Sequence, residues 1–265
     1  MLELLISALR PFRFKGKARL LGPWTPRSGT RVAVVNGYRV ELDLIDHIQR
    51  LVYLGAYERW ETGVVRRLLR PGMCFVDVGA NIGYFTLLAA RRVGPTGRVF
   101  AIEPSPYAAD RLSRTISANV ISQVRIERCG LGRRQGEVVL CDAAVGNHTP
   151  TMLGGPGSPG RLVPVRTLDE CVREWSIDRI DLMKIDVEGY EPEVFAGAAR
   201  TLADGKIRAI LCEFNAHWLA CAGTSPREVY RWLLDQGFVD RSGIAGEPGN
   251  SGLENRLLIW GSGTG

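Results

Sequence analysis

Four residues in the stretch FVDVGANIGYFTLLAARR (75–92) have types and spacing suited to holding a nucleotide: Asp77, Gly79, Asn81 and Gly83. An apolar run leads into two glycines four apart, and a helical pattern follows. A strand, a glycine-rich turn and a helix in that order form a nucleotide-binding device. The glycines let the backbone turn tightly and approach a ligand with no Cβ in the way. Asn81 tolerates a left-handed conformation better than most residues. The helix that begins near Gly83 points the positive end of its dipole at the ligand. The order Gly79-Ala80-Asn81-Ile82-Gly83 does not match the G-x-G-x-x-G fingerprint of dinucleotide binding. Asp77, two residues before the first glycine, offers a carboxylate to a ligand with a free ammonium group. NAD has none, whereas S-adenosylmethionine has one. Glu103, followed by Pro104, ends the next strand-like run, GRVFAIEPSP, where a carboxylate can accept both hydroxyls of a ribose. Cys129 and Gly130, at the end of the third run, are expected to flank an adenine.

A second constellation lies in DLMKIDVEGYE (181–191). Asp186 and Glu188 are two apart, so on an extended strand they share a face, with Lys184 on the same face. In open parallel sheets ligands sit beyond the carboxyl ends of the strands, so both carboxylates are expected near the reacting atoms. The following run, IRAILCEFNAH (207–217), ends in Glu213, Asn215 and His217. Transfer to an oxygen needs an acceptor for the hydroxyl proton. The candidates are Asp186, Glu188, Glu213 and His217, whose imidazole titrates near neutral pH. The clustered carboxylates could instead hold a divalent metal such as Mg²⁺, which would lower the hydroxyl's pKa.

The elements that must position these residues alternate along the chain. VAVVNGYRVELDL (32–44) reads as a hairpin around Asn36-Gly37, since both central turn residues need positive φ. Residues 46–69 read as helix, ending at Pro71-Gly72. Strand-like runs then occur at 74–79, 98–103, 124–130, 181–186, 207–213 and 256–260, and helical patterns at 83–93, 106–118, 191–203 and 226–236. That alternation predicts a parallel sheet covered by helices on both faces. The stretch 136–170 breaks the rhythm with two extra strands around a Gly/Pro/Ser-rich loop at 146–160, long enough to touch substrate.

The motifs DVGANIGYFT, AIEPSP, TLDE, DLMKIDVEGYEPEVFAGA and ENRLLIW, in order over about residues 50–260, resemble the FkbM family of S-adenosylmethionine-dependent methyltransferases. YLGAYERWET (53–62) resembles the lead-in of that family. The resemblance implies an α/β class I methyltransferase (Rossmann-like) fold: a mostly parallel seven-stranded sheet with the last strand antiparallel. It divides the chain into an N-terminal helix and hairpin cap, 1–70, and an S-adenosylmethionine-binding domain, 71–265. It implies O-methylation of a sugar, polyketide or other secondary metabolite. The lead-in helix sits over the donor pocket in the family, which marks Tyr53 and Glu58 as lid residues. N-methylation of an amine or peptide is the alternative, followed by an NAD-dependent oxidoreductase or a binding module without catalysis.

The chain has 265 residues, 45% hydrophobic, enough to bury one substantial core. Its formal net charge of +6 is spread as arginine pairs. A nucleic-acid footprint would be denser and interleaved with aromatics, so the expected partner is a small-molecule or glycan acceptor. None of the six cysteines forms a C-x-x-C pair, which excludes zinc ribbons and thioredoxin chemistry and fits a cytoplasmic compartment. No stretch approaches the ~20 apolar residues of a membrane span. The opening segment, MLELLISALRPFRFKGKARL, reads as a short docking helix stopped by Pro11.

Overall fold

The computed structural model describes residues 16–141, 152 and 159–261. The docking helix expected before Pro11 and most of the 146–160 loop lie outside them. The described chain opens with a short helix, α1 (Lys17–Leu21), and a hairpin of β1 (Thr30–Val35) and β2 (Tyr38–Asp43). Asn36 and Gly37 have φ of 51° and 92°, the two left-handed positions that an Asn-Gly hairpin turn requires. The helical run at 46–69 is two helices, α2 (His47–Leu54) and α3 (Arg59–Leu68). Asp46 caps α2 by accepting the Gln49 N–H at 2.7 Å, and Gly55, at φ 65°, ends it. Tyr57 and Glu58 therefore stand on a connector between helices.

From here strands and helices alternate: β3 (Cys74–Val78), α4 (Tyr84–Val93), β4 (Arg98–Ile102), α5 (Pro106–Ala118), β5 (Val124–Glu127). An insertion follows, in which β6 (Gly130–Leu131) and β7 (Gly136–Cys141) flank β8 (Gly160–Arg166) in a small separate sheet. The alternation resumes with α6 (Leu168–Glu174), β9 (Leu182–Ile185), α7 (Glu191–Ala196), α8 (Ala199–Ala203), β10 (Ala209–Asn215), α9 (Ala216–Cys221), α10 (Pro226–Asp235), β11 (Phe238–Asp240) and β12 (Leu253–Trp260). The single helix expected over 191–203 breaks at Gly197, where a Cβ would lie 2.0 Å from the carbonyl oxygen of Gly132.

The main sheet has seven strands in the order β11-β12-β10-β9-β3-β4-β5. β10, β9, β3, β4 and β5 pair in parallel, and β12 runs antiparallel to both β10 and β11. This is the α/β class I methyltransferase architecture. β11, only three residues long, carries too little pattern to be read from sequence.

Period-two alternation sends neighbouring residues of each strand to opposite cores. Val76, Val78, Met183, Ile185 and Phe214 pack with Trp175, Phe195 and Tyr230 from the helices of one face. Phe75, Leu182 and Leu211 face the other way, into a core shared with α4, α2, α3 and the hairpin. The cap residues are thus continuous with the body of the fold, and the connector between α2 and α3 reaches the strand tips. No helix among the described residues is long and apolar enough to cross a membrane.

Candidate active site

A cavity of about 410 Å³ opens at the carboxyl ends of β3, β4, β9 and β10, within the usual range for a ligand site. Its first wall is the turn after β3. Gly79 has φ 82°, and a Cβ there would lie 1.9 Å from the backbone oxygen of Asp186. Glycine is required because the β3 and β9 turns touch backbone to backbone. Asn81 takes φ 50°. Gly79, Ala80, Asn81 and Pro104 line the cavity. Gly83 does not: it stands behind the loop, where a Cβ would meet Leu112 Cδ1 at 2.2 Å. Its expected place at the ligand is corrected to a packing role at the start of α4.

Glu103 joins the two loops. One carboxylate oxygen accepts the Asn81 N–H at 2.7 Å, the other the Ser105 N–H at 2.8 Å. Burial nonetheless pushes its pKa up to about 7. Asp77, 1% exposed, accepts a hydrogen bond from the Thr86 hydroxyl at 2.6 Å and pairs in register with Lys184 across the sheet. Burial raises its pKa to about 6 against the opposing effects of Lys184 and Thr86.

The second wall is acidic. Lys184, 2% exposed, lies 2.8 Å from Asp186 Oδ2 and 3.8 Å from Glu58 Oε2, with its ammonium 4.8 Å from the Phe85 ring centroid. Burial alone would depress its pKa, but the surrounding Asp186, Glu58, Glu213 and Asp77 hold it above the ordinary lysine value. Asp186, Glu188 and Glu213 all border the cavity. Asp186 and Glu188 do not share an extended strand, because β9 ends at Ile185 and Glu188 turns at φ 50°. The buried Glu191 holds this turn by accepting the N–H groups of Val187 and Gly189 at 3.2 and 3.3 Å. No sequence signal separates Glu191 from the other carboxylates around it. Glu188 accepts a hydrogen bond from Asn215 at 3.3 Å, and burial followed by the charge of Asp186 raises its pKa to about 7. Burial, then Asp186, pushes Glu213 well above the ordinary carboxylate range.

Two further expectations are corrected. His217 is not at a strand tip. The chain turns into α9 at Ala216, Asn215 caps it by accepting the Trp218 N–H, and His217 is exposed, tilted against the Trp218 ring 4.9 Å away. Cys129 belongs to the core of the opposite face, while its neighbour Gly130 lines the cavity beside Met152. Cys129 stands in the bend between β5 and β6, which turns its side chain into the core. Tyr53 packs into the cap core, whereas Glu58 borders the cavity.

Carboxylate oxygens of Glu58, Asp186 and Glu213 lie within 4.8 Å of one another. This set does not fit a divalent ion, because the Lys184 ammonium already sits among them as their counter-charge and would repel a second cation. The cavity lining contains seven carboxylates, of Glu58, Glu61, Asp77, Glu103, Asp186, Glu188 and Glu213, against this one amine. That surplus suits a cationic ligand.

The sheet order, with the strand-tip cavity and its glycine turn, defines a class I methyltransferase. Residues 77–239 match the Methyltransferase FkbM domain, and the chain belongs to that family. Among curated relatives, the hexuronic acid methyltransferase AglP of Haloferax volcanii is 27% identical over 211 residues, 77% of this chain and 80% of that protein. The methyltransferase sdnD of Sordaria araneosa is 30% identical over 159 residues, 46% of this chain and 59% of that protein. The 2-O-methyltransferase NoeI of Sinorhizobium fredii is 27% identical over 175 residues, 57% of this chain and 67% of that protein. The solved methyltransferase FkbM of Methylobacillus flagellatus is 18% identical, with a TM-score of 0.43, covering 80% of this chain and 52% of that one.

Proposed function

We propose that the protein O-methylates a hydroxyl of a sugar, polyketide or similar small molecule or glycan. The observation that carries this reading is the carboxylate surplus in a strand-tip cavity built on a glycine turn. S-adenosylmethionine supplies an electrophilic methyl group on a sulfonium, which with the ammonium gives it two positive centres. Glu103 would hold the ribose hydroxyls, with Gly79, Ala80, Asn81, Pro104 and Gly130 shaping the nucleoside side. Asp77 supplies negative charge toward the ammonium. Asp186, fixed by Lys184, orients the reacting centre, with Glu188 and Glu213 behind it. Fixed orientation of reactants accounts for much of the rate in such transfers.

The acceptor enters from the cap side. Ile48, Leu51 and Val52 of α2 give that side an apolar roof suited to the non-polar face of a sugar ring or a polyketide. The relative named for hexuronic acid supports a carbohydrate acceptor, and the relative named a 2-O-methyltransferase supports transfer to a hydroxyl. The test is calorimetric titration with S-adenosylmethionine, followed by mass spectrometry of a panel of glycosides and polyketides incubated with labelled donor. Saturable donor binding and a single methyl added to oxygen are expected. Donor binding with methylation of amines alone would overturn the hydroxyl assignment, and no donor binding would overturn the reading.

A further inference from the structure

The floor of the cavity is formed by residues at the strand tips, but two carboxylates, Glu58 and Glu61, border it from the cap. Glu58 stands on the connector between α2 and α3 with φ 32° and ψ 68°, a left-handed conformation that a non-glycine residue rarely adopts. Such strain persists only where the surroundings over-determine it, and it collects at active sites. Here the surroundings are Tyr57, hydrogen-bonded to the Glu58 carboxylate and set edge-on to Tyr84 at 5.1 Å, and Thr62, whose hydroxyl donates to the Glu58 carbonyl at 2.6 Å.

The carboxylates around it are differently committed. Asp186 Oδ2 accepts from Lys184 at 2.8 Å, Glu188 accepts from Asn215, and Glu213 is 6% exposed at the tip of β10. Glu58 Oε2 is buried with no hydrogen-bond donor, and Lys184 approaches it only to 3.8 Å. It faces the same space as the strand-tip carboxylates from the opposite side.

We infer that Glu58 is the catalytic base that takes the proton of the acceptor hydroxyl, an inference that rests on the O-methyltransferase reading. As the acceptor oxygen bonds to the methyl carbon, the methyl–sulfur pair stays on sulfur. The O–H bond breaks with its pair left on oxygen, and the proton passes to Glu58 Oε2 and then to solvent. The groups facing Glu58 are Tyr57 and Glu61 from the cap, Lys184 and Asp186 from the β9 segment, and Glu213 from β10. Burial raises its pKa to about 7, with Lys184 opposing and Asp186 adding to the shift. A base is most effective when its pKa lies near the working pH. Because the working form is the carboxylate, activity rises as pH increases through that value.

The full-length chain and Glu58→Gln are compared by S-adenosylhomocysteine calorimetry, by carboxyl ¹³C NMR titration and by methyl transfer to neutral methyl hexopyranosides and polyketide alcohols. Glu58→Gln is expected to bind S-adenosylhomocysteine as wild type does and to lose about 10²–10⁴-fold in rate. It should also lose the rising limb and one of the carboxyl signals that titrate near pH 7, while those of Glu103, Glu188 and Glu191 remain. Tyr57→Phe, which keeps the carboxylate and removes its hydrogen bond, is expected to move the limb without abolishing it. A Glu58→Gln enzyme that keeps rate and limb overturns the inference, as does a Glu58 carboxyl that titrates in the ordinary range. So does a loss of product binding equal to the loss of rate, which would make Glu58 a binding residue. If wild type binds no S-adenosylhomocysteine, the methyltransferase reading itself fails.

Discussion

The turn after β3 and the acidic wall opposite it are built on different physics. In the turn, steric fit decides the residue types: Gly79 must be glycine because Asp186 backbone occupies the place of its Cβ, and Asn81 takes φ 50°. In the acidic wall, electrostatics decide: Lys184 lies within 4 Å of carboxylates from two separate segments, Asp186 and Glu58. A steric requirement is local and leaves a spacing in the sequence. An electrostatic cluster is assembled by the fold, and its members carry no fixed spacing. The first should fail abruptly when one atom is added, and the second should retune when one charge is removed.

The sharpest break is Gly79→Ala. It combines a left-handed backbone with a Cβ placed 1.9 Å from the backbone oxygen of Asp186. Strain and overpacking together are expected to cost about 2–5 kcal/mol, read as a shift of the urea midpoint. Because the turn would have to part from the β9 segment, donor binding should fall with stability. A Gly79→Ala protein as stable as wild type would show that the two turns can separate freely. Glu103→Ala comes next. It removes the acceptor of the Asn81 and Ser105 N–H groups together with the proposed ribose contact. Hydrogen bonds to a charged group are worth about 1.5–3 kcal/mol, so donor affinity by calorimetry should drop about 10–100-fold. Unchanged affinity would remove Glu103 from the ribose.

The same division explains what the sequence disclosed. The Asn-Gly hairpin, the glycine turn and the alternation of β3 to β5 with their helices are local signals, and the structure has them within a few residues. The reversed β12 between β10 and β11 came from the family resemblance, since no local pattern specifies strand order. The connector that carries Glu58 was hidden inside an apparently continuous helical run, because Gly55 alone gave little warning that α2 would stop there. Cys129 and Gly130 read as a pair, although the bend between β5 and β6 turns Cys129 into the core and leaves Gly130 at the cavity.

His217 is the case where a residue type misleads. An imidazole a few positions beyond a strand-tip carboxylate suggests proton transfer, but that inference needs the strand to continue. Asn215 ends it instead, since its side chain accepts the Trp218 N–H and starts α9. Inside the first turn of the helix, His217 is exposed to solvent with Trp218 as its aromatic neighbour. Substitutions at such exposed positions usually stay within about 0.5 kcal/mol. His217→Ala is therefore expected to leave the urea midpoint, donor affinity and pH–rate profile of the enzyme unchanged. A His217→Ala enzyme that lost the limb near pH 7 would mean that α9 folds back over the cavity during turnover. The proton would then pass to the imidazole on the β10 side, and the contrast between a steric wall and an acidic one would no longer account for the chemistry.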